Sequence, residues 1–419
     1  MVILWLCNVA TPNIARRIGA KEPVGGGWIQ GAAEALSANG NICIHLCFPQ
    51  RRTAEILKGE TDGIQFWGFP ASAKPPHLYD PALERCFTKI IHQIKPDVVH
   101  IWGTEYPHTL AMTKAFRNPN KTVIHIQGLC GICATHYTAF LPERACRAWT
   151  LRDLLKLDRI VDQQKKFWLR GINEAEALCN AGYVIGRTSW DRACVRQLAP
   201  NAQYRVCHET LRREFYENAG TWSLDSCETH SIFVSQASYP LKGFHMVLEA
   251  MPEILRRYPD AKLYTTGRDP FKVPFYRING YQRWLKKQIT KLGLRNQVHF
   301  LGSLDAQAMC QIFLKSNVFV SASSIENSPN SVGEAMLLGV PTVASFVGGT
   351  MDFIDNGIDG FLFPADAPYI MADRVCQLFG NRDLMEQMSK RATKHALEKH
   401  DPEKNHSCLK EIYREVYEG

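Results

Sequence analysis

The chain has 419 residues, of which 45% are hydrophobic and 21% charged, and lysine plus arginine outnumber aspartate plus glutamate by 49 to 41. This is more chain than one hydrophobic core usually supports, so we expect two domains. The positive excess suits small anions or an anionic membrane surface, but without an aromatic-basic module it gives no reason to expect a nucleic-acid partner.

The first half of the sequence alternates short apolar runs with amphipathic ones. Strands are predicted at Val2–Leu6, Ile42–Cys47, Asp97–Ile101, Thr122–Ile126 and Tyr183–Ile185. One helix is expected from a glycine cluster to about Ala38, and another between Leu83 and Ile94, where apolar residues recur at helical spacing. Strand–helix–strand order of this kind predicts a parallel sheet that is covered on both faces.

A second set of the same kind begins after a polar, less regular stretch near residue 207. Its predicted elements are strands at Ser231–Ser235, Ala261–Thr265, Val298–Leu301, Val318–Ala322 and Thr342–Ala344, and helices at Phe244–Arg257 and Ser331–Leu338. We therefore predict an α/β fold with two Rossmann-like, doubly wound domains that face each other across a cleft. The domains are expected at residues 1–207 and 208–402, and a last helix at about 403–419 is expected to pack back on the first.

The 14 cysteines are scattered without a framework spacing, which indicates reduced thiols in a cytoplasmic protein. No stretch is apolar for long enough to span a bilayer. The apolar run Val2–Leu6 is short and lacks a basic leader, so it fits a buried strand better than a signal peptide. Membrane contact is then expected to be peripheral, at the cytoplasmic face.

The segment Ser324–Met336 follows a buried strand, runs into a helix and contains two glutamates. Glu326 falls in the loop at the carboxyl end of the strand, where open parallel sheets bind ligands, and Glu334 falls in the first turns of the helix. A carboxylate at Glu334 can accept two hydrogen bonds from a vicinal diol such as that of a ribose, and Glu326 is placed to bind the hydroxyls of a transferred sugar. One such glutamate is explained as well by pairing with the helix dipole, but two around a Pro/Asn/Ser loop favour a ligand site.

The start of the same helix is a second candidate. Pro329 is expected to end the loop, Asn330 or Ser331 to cap the helix, and the backbone N–H groups of Ser331 and Val332 to be free. Free N–H groups at a helix N-terminus bind anions, so they would form a cradle for a diphosphate.

Two further loops carry candidates for phosphate binding. Lys242 follows the first strand of the second domain, so it reaches the same sheet edge and can stabilise a departing diphosphate. Gly25, Gly26 and Gly27 precede the first helix of the first domain, where the backbone can approach a ligand closely. This cluster lacks the GxGxxG spacing of a dinucleotide site.

These motifs together resemble the retaining family four of glycosyltransferases, which have the GT-B fold. Glu326 and Glu334 are similar to the E-x7-E motif of that family, the Lys242 loop to its phosphate-binding lysine loop, and Gly25–Gly27 to its N-terminal glycine loop. The resemblance implies that Glu334 holds the ribose of a nucleotide-sugar donor, Lys242 its diphosphate and Glu326 its sugar, while the backbone near Gly302 flanks the base. It also implies that the first domain binds the acceptor.

Two positions depart from the family pattern. Ala237 stands where the family usually has an arginine, and Arg268 is a candidate to compensate for it. Gln127 stands where the family usually has a histidine; a glutamine cannot act as a base, but it can hydrogen-bond a sugar or stabilise charge, so Gln127 remains a catalytic candidate. Glu105 and His136 are candidate substitutes for the missing base.

No Asp-x-Asp motif occurs in the sequence, so we expect neither a metal ion nor another cofactor. Cys130 and Cys133, with His136 and Cys146 nearby, lack the second spaced pair of a zinc site, so buried or idle thiols are favoured. Lys242, the helix terminus and the glycine loop would neutralise the diphosphate instead.

Residues 143–171 mix aromatic and aliphatic side chains with an excess of basic ones. An amphipathic helix packed on its own domain accounts for this pattern about as well as a surface for an anionic membrane or a lipid-linked acceptor. Contact with a membrane through 143–171 is therefore a hypothesis.

The sequence thus predicts a glycosyltransferase that moves a sugar from a nucleotide-diphosphate sugar to a glycan or lipid-linked acceptor, with retention of anomeric configuration. The form Ile-Glu-Asn-Ser-Pro-Asn-Ser around Glu326 is similar to a subset associated with surface-polysaccharide assembly. Two alternatives stay open. One is a catalytically silent partner subunit that binds nucleotide sugar, and the other is an epimerase or hydrolase of similar architecture.

Overall fold

The computed structural model describes residues 1–21, 27–37, 40–51, 53 and 55–419. These residues belong to two compact units. The N-terminal unit consists of Met1–Ala134, Lys166–Thr210 and His400–Gly419, and the C-terminal unit of Thr135–Lys165 and Leu211–Lys399.

The strands and helices of the described residues alternate along most of the chain. The strands are β1 (Val2–Leu6), β2 (Cys43–Gln50), β3 (Leu57–Thr61), β4 (Ile64–Pro70), β5 (Val98–Trp102), β6 (Thr122–His125), β7 (Tyr183–Gly186), β8 (Gln203–Val206), β9 (Glu228–Val234), β10 (Lys262–Thr265), β11 (Val298–Phe300), β12 (Ser316–Ser321), β13 (Thr342–Ser345) and β14 (Phe361–Phe363). The α-helices are α1 (Pro12–Arg17), α2 (Gly27–Ser37), α3 (Ala82–Ile94), α4 (Pro107–Phe116), α5 (Cys130–Thr135), α6 (Glu143–Cys146), α7 (Leu151–Lys156), α8 (Ile160–Cys179), α9 (Ser189–Leu198), α10 (Arg213–Glu217), α11 (Phe244–Arg257), α12 (Gly280–Lys291), α13 (Ala306–Lys315), α14 (Asn330–Leu338), α15 (Pro368–Phe379), α16 (Arg382–Lys399) and α17 (Pro402–Glu418).

The N-terminal unit is built on an eight-stranded sheet with the order β3-β4-β2-β1-β5-β6-β7-β8. Among the described pairs only β3 and β4 run antiparallel; the others are parallel. Residues Ile3 to Leu6 of the central strand are at most 1% exposed, as expected for a parallel strand covered on both faces.

The last helix, α17, packs within the N-terminal unit. Tyr413 is fully buried, and its hydroxyl is hydrogen-bonded to the imidazole of His100 on β5. Glu415 accepts a hydrogen bond of 2.9 Å from Nε of Arg205 on β8. The final residues of the chain therefore complete the core that its first residues begin.

The C-terminal unit contains a six-stranded sheet with the order β11-β10-β9-β12-β13-β14, and its described pairs are all parallel. In both sheets the chain begins at a central strand, adds strands on one side and then returns to add strands on the other. This reversal falls between β1 and β5 in the N-terminal sheet and between β9 and β12 in the C-terminal sheet. Open α/β sheets bind ligands at the carboxyl ends of the strands beside such a reversal.

One segment lies in a different unit from the one that the sequence suggested. A boundary at residue 207 put residues 135–165 in the first domain, whereas the structure groups them with the C-terminal unit. Two buried polar contacts account for this: the carboxylate of Asp153 accepts a hydrogen bond of 2.7 Å from the Gly280 amide, and the Ala139 carbonyl lies 2.6 Å from Nε2 of His245.

The run 143–171 is also not one amphipathic helix. It is divided among α6, α7 and the first part of α8. Thr150 caps the start of α7 by accepting a hydrogen bond from the Asp153 amide, and Leu157 ends that helix in a left-handed conformation with φ 48°. Apolar periodicity alone did not reveal these two boundaries.

No helix within the described residues combines the length and the apolar character needed to cross a bilayer.

Candidate functional site

The switch point of the C-terminal sheet brings two of the predicted site residues into contact. Lys242 ends a 3-10 turn (Pro240–Lys242) in the loop after β9, and Glu326 lies in the loop after β12. The Lys242 ammonium donates to Oε1 of Glu326, and Ser323 donates to the same oxygen over 2.6 Å. Both side chains of the ion pair keep some exposure, 26% for Lys242 and 13% for Glu326, so the pair is open to a ligand.

Two glycines allow the loops that carry this pair to approach the neighbouring backbone. Gly243 has φ +64°, and a Cβ there would lie 1.7 Å from the carbonyl oxygen of Ala322. Gly348 has φ +48°, and a Cβ there would lie 2.0 Å from the carbonyl oxygen of Glu326, which also accepts a 3.0 Å hydrogen bond from the Gly349 amide. Any other residue at 243 or 348 would displace the loop that it belongs to.

Glu334 lies on α14 and is only 5% exposed. Arg212 forms a bidentate pair with this carboxylate: Nε donates to Oε1 over 2.6 Å, and a terminal nitrogen donates to Oε2 over 2.7 Å. Burial raises the pKa of Glu334, and the hydrogen bonds and charge of Arg212 oppose that rise. Two charge-assisted bonds in fork geometry favour the ionised form of the carboxylate.

Arg212 was not among the residues predicted from the sequence. It precedes α10 and is 122 residues away from its partner. Nothing in the local sequence distinguishes it from its neighbour Arg213, because the pairing is set by the tertiary fold.

The start of α14 differs in detail from the prediction. The helix begins at Asn330, with Pro329 in the N-cap position and no side-chain cap. The Val332 amide, predicted to be free, donates to the Pro329 carbonyl over 2.9 Å. Ser331 lies in the first turn, where the helix supplies no acceptor for the backbone amide.

Gly302 and Arg268 lie at the carboxyl ends of β11 and β10. The Gly302 carbonyl accepts a 2.8 Å hydrogen bond from the Gly267 amide, and a Cβ added at Gly302 would meet no atom within 4 Å. There is therefore open space beside the position predicted to flank a base. Arg268 is exposed and makes no hydrogen bond or ion pair with the described residues, whereas Ala237 is buried.

Part of the predicted glycine loop lies outside the described residues. Gly25 and Gly26 are not described, and Gly27 is the first residue of α2.

Gln127 follows β6 in the N-terminal unit, at the carboxyl edge of that sheet. Its amide donates to Oε1 of Glu209, and Arg187 donates to Oε2 of Glu209 over 2.5 Å. Arg187 and Glu209 are 3% and 4% exposed, so the pair is buried. Glu209 was not predicted from the sequence. Its hydrogen bond holds the side-chain amide of Gln127 in one orientation.

Two carboxylates lie near the end of β5 in the same unit, the half-buried Glu105 and the buried Glu174. Burial raises the pKa of Glu105, whose Oε2 would be 2.3 Å from a Cβ added at Gly103. Burial raises the pKa of Glu174 to about 7, although it accepts hydrogen bonds from Thr104 and from backbone amides of α5. The role of Glu105 as a substitute for the missing base stays a prediction. His136 lies in the other unit, where its backbone carbonyl accepts a 3.1 Å hydrogen bond from Ser324.

Among the described residues, one group has the spacing to hold a metal ion: Asp355, Asp359 and His395. Nδ1 of His395 lies 2.6 Å from Oδ2 of Asp359, and this hydrogen bond raises the pKa of the histidine. His395 and Asp359 of this group are therefore joined by an internal hydrogen bond in this structure. Cys130 is buried, which raises the pKa of its thiol.

Residues 223–395 match the family model for glycosyl transferases group 1. An uncharacterized glycosyltransferase of Methanocaldococcus jannaschii is 30% identical over 155 residues, 36% of this chain and 37% of that protein. The chain spans less than half the length of the curated relatives it matches.

Two solved structures are similar over nearly the whole chain. Sucrose-phosphate synthase from Thermosynechococcus elongatus has a TM-score of 0.71 at 16% identity, covering 100% of this chain and 99% of that one. HepE from Anabaena, in complex with UDP and glucose, has a TM-score of 0.64 at 18% identity, covering 98% and 99%. The predicted fold class is confirmed: the chain has two Rossmann-like units with parallel sheets, as these GT-B structures do.

Proposed function

We propose that this chain is a glycosyltransferase that takes a sugar from a nucleotide-diphosphate donor bound by its C-terminal unit. The premise is the match of residues 223–395 to group 1 glycosyl transferases. The observation that carries the proposal is the contact between Lys242 and Glu326 at the switch point of the same unit. HepE was crystallised with UDP, which makes UDP the first nucleotide to test.

The Lys242–Glu326 pair is proposed to exchange partners when the donor binds. Without donor, the Lys242 ammonium and the Glu326 carboxylate neutralise each other. A diphosphate offers Lys242 several anionic oxygens, and Glu326 is then released to accept hydrogen bonds from sugar hydroxyls. Because the pair is only partly buried, this exchange costs less than it would in a dry core.

Glu334 is proposed to bind the ribose diol. An ionised carboxylate has about four lone-pair positions, and Arg212 takes one on each oxygen. Two positions remain, which is the number that a vicinal diol needs. Arg212 is a positioning residue in this account, since it fixes the carboxylate and keeps it charged.

The diphosphate is proposed to be neutralised without a metal. Lys242, the exposed Arg268 and the first turn of α14 supply positive charge and backbone N–H groups at one edge of the sheet. Activity that is unchanged in excess EDTA is expected, and activity that depends on added Mg2+ or Mn2+ would contradict this part of the proposal.

Transfer is proposed to retain anomeric configuration. The acceptor hydroxyl attacks the anomeric carbon on the face of the leaving group, the bond from that carbon to the diphosphate oxygen breaks, and the departing phosphate takes the hydroxyl proton. Gln127 cannot accept a proton, so it stabilises charge or orients the sugar in this scheme. Proton NMR of the product tests it, since an inverted anomer would refute the scheme.

The acceptor is proposed to be a glycan or a lipid-linked sugar in surface-polysaccharide synthesis, with the enzyme at the cytoplasmic face of the membrane. Within 143–171, the segment around α7 presents apolar side chains to solvent: Trp149, Leu151, Leu154, Leu155 and Leu157 are each at least 50% exposed. Basic residues beside exposed apolar ones suit an anionic bilayer.

The membrane contact is tested by sedimentation with phosphatidylglycerol vesicles. The double variant Leu154→Ser/Leu155→Ser is expected to lose binding, whereas Tyr369→Ser, which removes a 70% exposed aromatic residue from α15, is expected to keep it. Equal binding by both variants would remove the segment from the proposal.

Turnover distinguishes the glycosyltransferase from its alternatives. The purified chain is incubated with UDP-glucose and an acceptor extract, and release of UDP is followed with and without acceptor. Release that depends on acceptor is expected. Binding without any release would favour the silent partner, and release without acceptor would favour the hydrolase.

A further inference from the structure

The N-terminal unit has a pocket at its own switch point. Its volume is about 710 Å3, and it is lined by loops that follow β1, β2, β4 and β5. Asn8 comes from the loop after β1 and Tyr106 from the loop after β5, so the pocket lies where the strand order reverses. This volume is typical of small-molecule sites.

The charged side chains among the described lining residues are all basic: Lys21, Arg51 and Lys74. Lys74 is partly compensated, since it donates to the Tyr79 carbonyl over 3.2 Å and lies 4.0 Å from Asp80. Lys21 and Arg51 make no hydrogen bond or ion pair with the described residues. Uncompensated cations around a concave surface raise the local concentration of anions.

The remaining polar groups of the pocket are neutral. Nε2 of His108 lies 2.7 Å from the Asn8 side-chain oxygen, and burial lowers the pKa of His108 to about 3. The ring of Tyr106 stacks on His108 with a centroid distance of 5.3 Å and keeps 39% exposure. The Arg170 guanidinium also lies over this ring, 5.2 Å from its centroid. Glu105, the nearest carboxylate in sequence, does not line the pocket.

We propose that this pocket binds the acceptor through a phosphate group, with Lys21 and Arg51 as its ligands. The inference rests on the proposed function, which it deepens by naming the acceptor's chemical class. A free sugar phosphate and the phosphate head of a lipid carrier share this chemistry.

The test is calorimetry on the full chain after saturation with UDP, so that the C-terminal unit does not take up the probe. Glucose 1-phosphate, a medium-chain alkenyl phosphate and glucose are titrated in turn. Both phosphates are expected to bind more tightly than glucose if the phosphate is recognised by itself. Binding of the alkenyl phosphate alone would assign the site to a lipid carrier, and binding of glucose 1-phosphate alone to a soluble acceptor.

Arg51→Gln and Lys21→Gln are each expected to weaken phosphate binding about tenfold, the effect of one lost charge-assisted hydrogen bond. Lys89→Gln, which removes an exposed lysine of α3 outside the pocket, is the matched control and is expected to change nothing. Equal affinity for glucose and glucose 1-phosphate, or full affinity in the Lys21→Gln/Arg51→Gln double variant, would overturn the proposal.

The same variants separate this inference from the proposed function. UDP binding is expected to be unchanged in Arg51→Gln and Lys21→Gln. If UDP binds and the phosphates do not, the assignment of the pocket is wrong and the proposed donor site still stands. If the phosphates bind and UDP does not, the assignment of the donor site is wrong and that of the pocket still stands.

Discussion

The two units both contain doubly wound sheets, but charged residues near the carboxyl ends of their strands are arranged differently. In the C-terminal unit the charges are paired with each other: Lys242 with Glu326, and Arg212 with Glu334. In the N-terminal unit Arg187 and Glu209 form an almost fully buried pair, while Lys21 and Arg51 of the pocket make no ion pair with the described residues.

This difference separates two ways of building a ligand site. A site of paired charges is ordered before the ligand arrives, and the ligand must replace existing bonds. A pocket of unpaired charges attracts an anion without breaking anything. The family match falls on residues 223–395, outside the loops that line the N-terminal pocket.

The largest expected effect is on the buried pair of the N-terminal unit. Arg187→Met leaves the Glu209 charge buried without its cation, so the free energy of unfolding is expected to fall by about 3–5 kcal/mol. Urea unfolding measures the change. Arg187→Met/Glu209→Leu is expected to recover most of it, and Arg196→Met, on the exposed side of α9, is expected to cost under about 0.5 kcal/mol. A loss no larger than that of Arg196→Met would show that Glu209 is not held as a charge.

Replacing Arg212 is expected to lower the free energy of unfolding less than replacing Arg187 does, but to weaken nucleotide binding strongly. The guanidinium is 25% exposed, so water screens the charge that Arg212→Ala leaves on Glu334, and the expected cost is about 2–3 kcal/mol. Nucleotide affinity is expected to fall roughly 100-fold, because the carboxylate loses its orientation. Arg213→Ala, whose side chain is 88% exposed, is the control. If both variants bind nucleotide equally, Arg212 does not position Glu334.

Gly243, which follows Lys242 in the loop after β9, is expected to matter for stability. Gly243→Ala places a Cβ against the Ala322 carbonyl and is expected to cost at least about 2 kcal/mol. Gly293→Ala has a similar φ of +68° but open space around it, so about 1 kcal/mol is expected from backbone strain alone. Thermal unfolding compares the two. Equal costs would mean that the close approach at Gly243 is relieved by a small shift.

The smallest expected effect concerns the protonation of His395 in the C-terminal unit. Burial lowers the pKa of His100 and His108 to about 3, whereas a hydrogen bond that the His395 ring donates to the Asp359 carboxylate raises the pKa of His395. A raised pKa adds stability that is full below about pH 6.5 and is lost as the pH rises through the folded-state pKa. His395→Gln is therefore expected to cost up to about 1 kcal/mol at pH 5.5 and less at pH 8.5.

Urea unfolding at the two pH values checks this, with His92→Gln, an exposed residue of α3, as control. A cost for His395→Gln that is larger at pH 8.5 would contradict the sign.

Much of the fold was predictable because parallel strands are apolar runs of limited length. The helix at 244–257 was placed to the residue, and the strands around it to within a few residues. The hairpin of β3 and β4 and the short edge strands β8 and β14 were missed. Edge strands are exposed on one side, and β3 reads Leu-Lys-Gly-Glu-Thr, which has no apolar run.

The candidate site was predictable where a residue follows a strand directly. Lys242 and Glu326 were located because the carboxyl ends of neighbouring parallel strands share one edge. Arg212 and Glu209 were not, because each acts through a partner distant in sequence. The Val332 amide was misassigned because the helix begins one residue earlier than the prediction.

The most direct test of donor binding is calorimetric titration with UDP, GDP and ADP in EDTA. Three proteins are compared: the unaltered chain, Glu334→Gln, and Glu398→Gln, which changes an exposed glutamate of α16. One nucleotide is expected to bind the unaltered chain and Glu398→Gln alike, and Glu334→Gln at least about tenfold more weakly. Binding of no nucleotide, or equal binding by Glu334→Gln, would contradict the account.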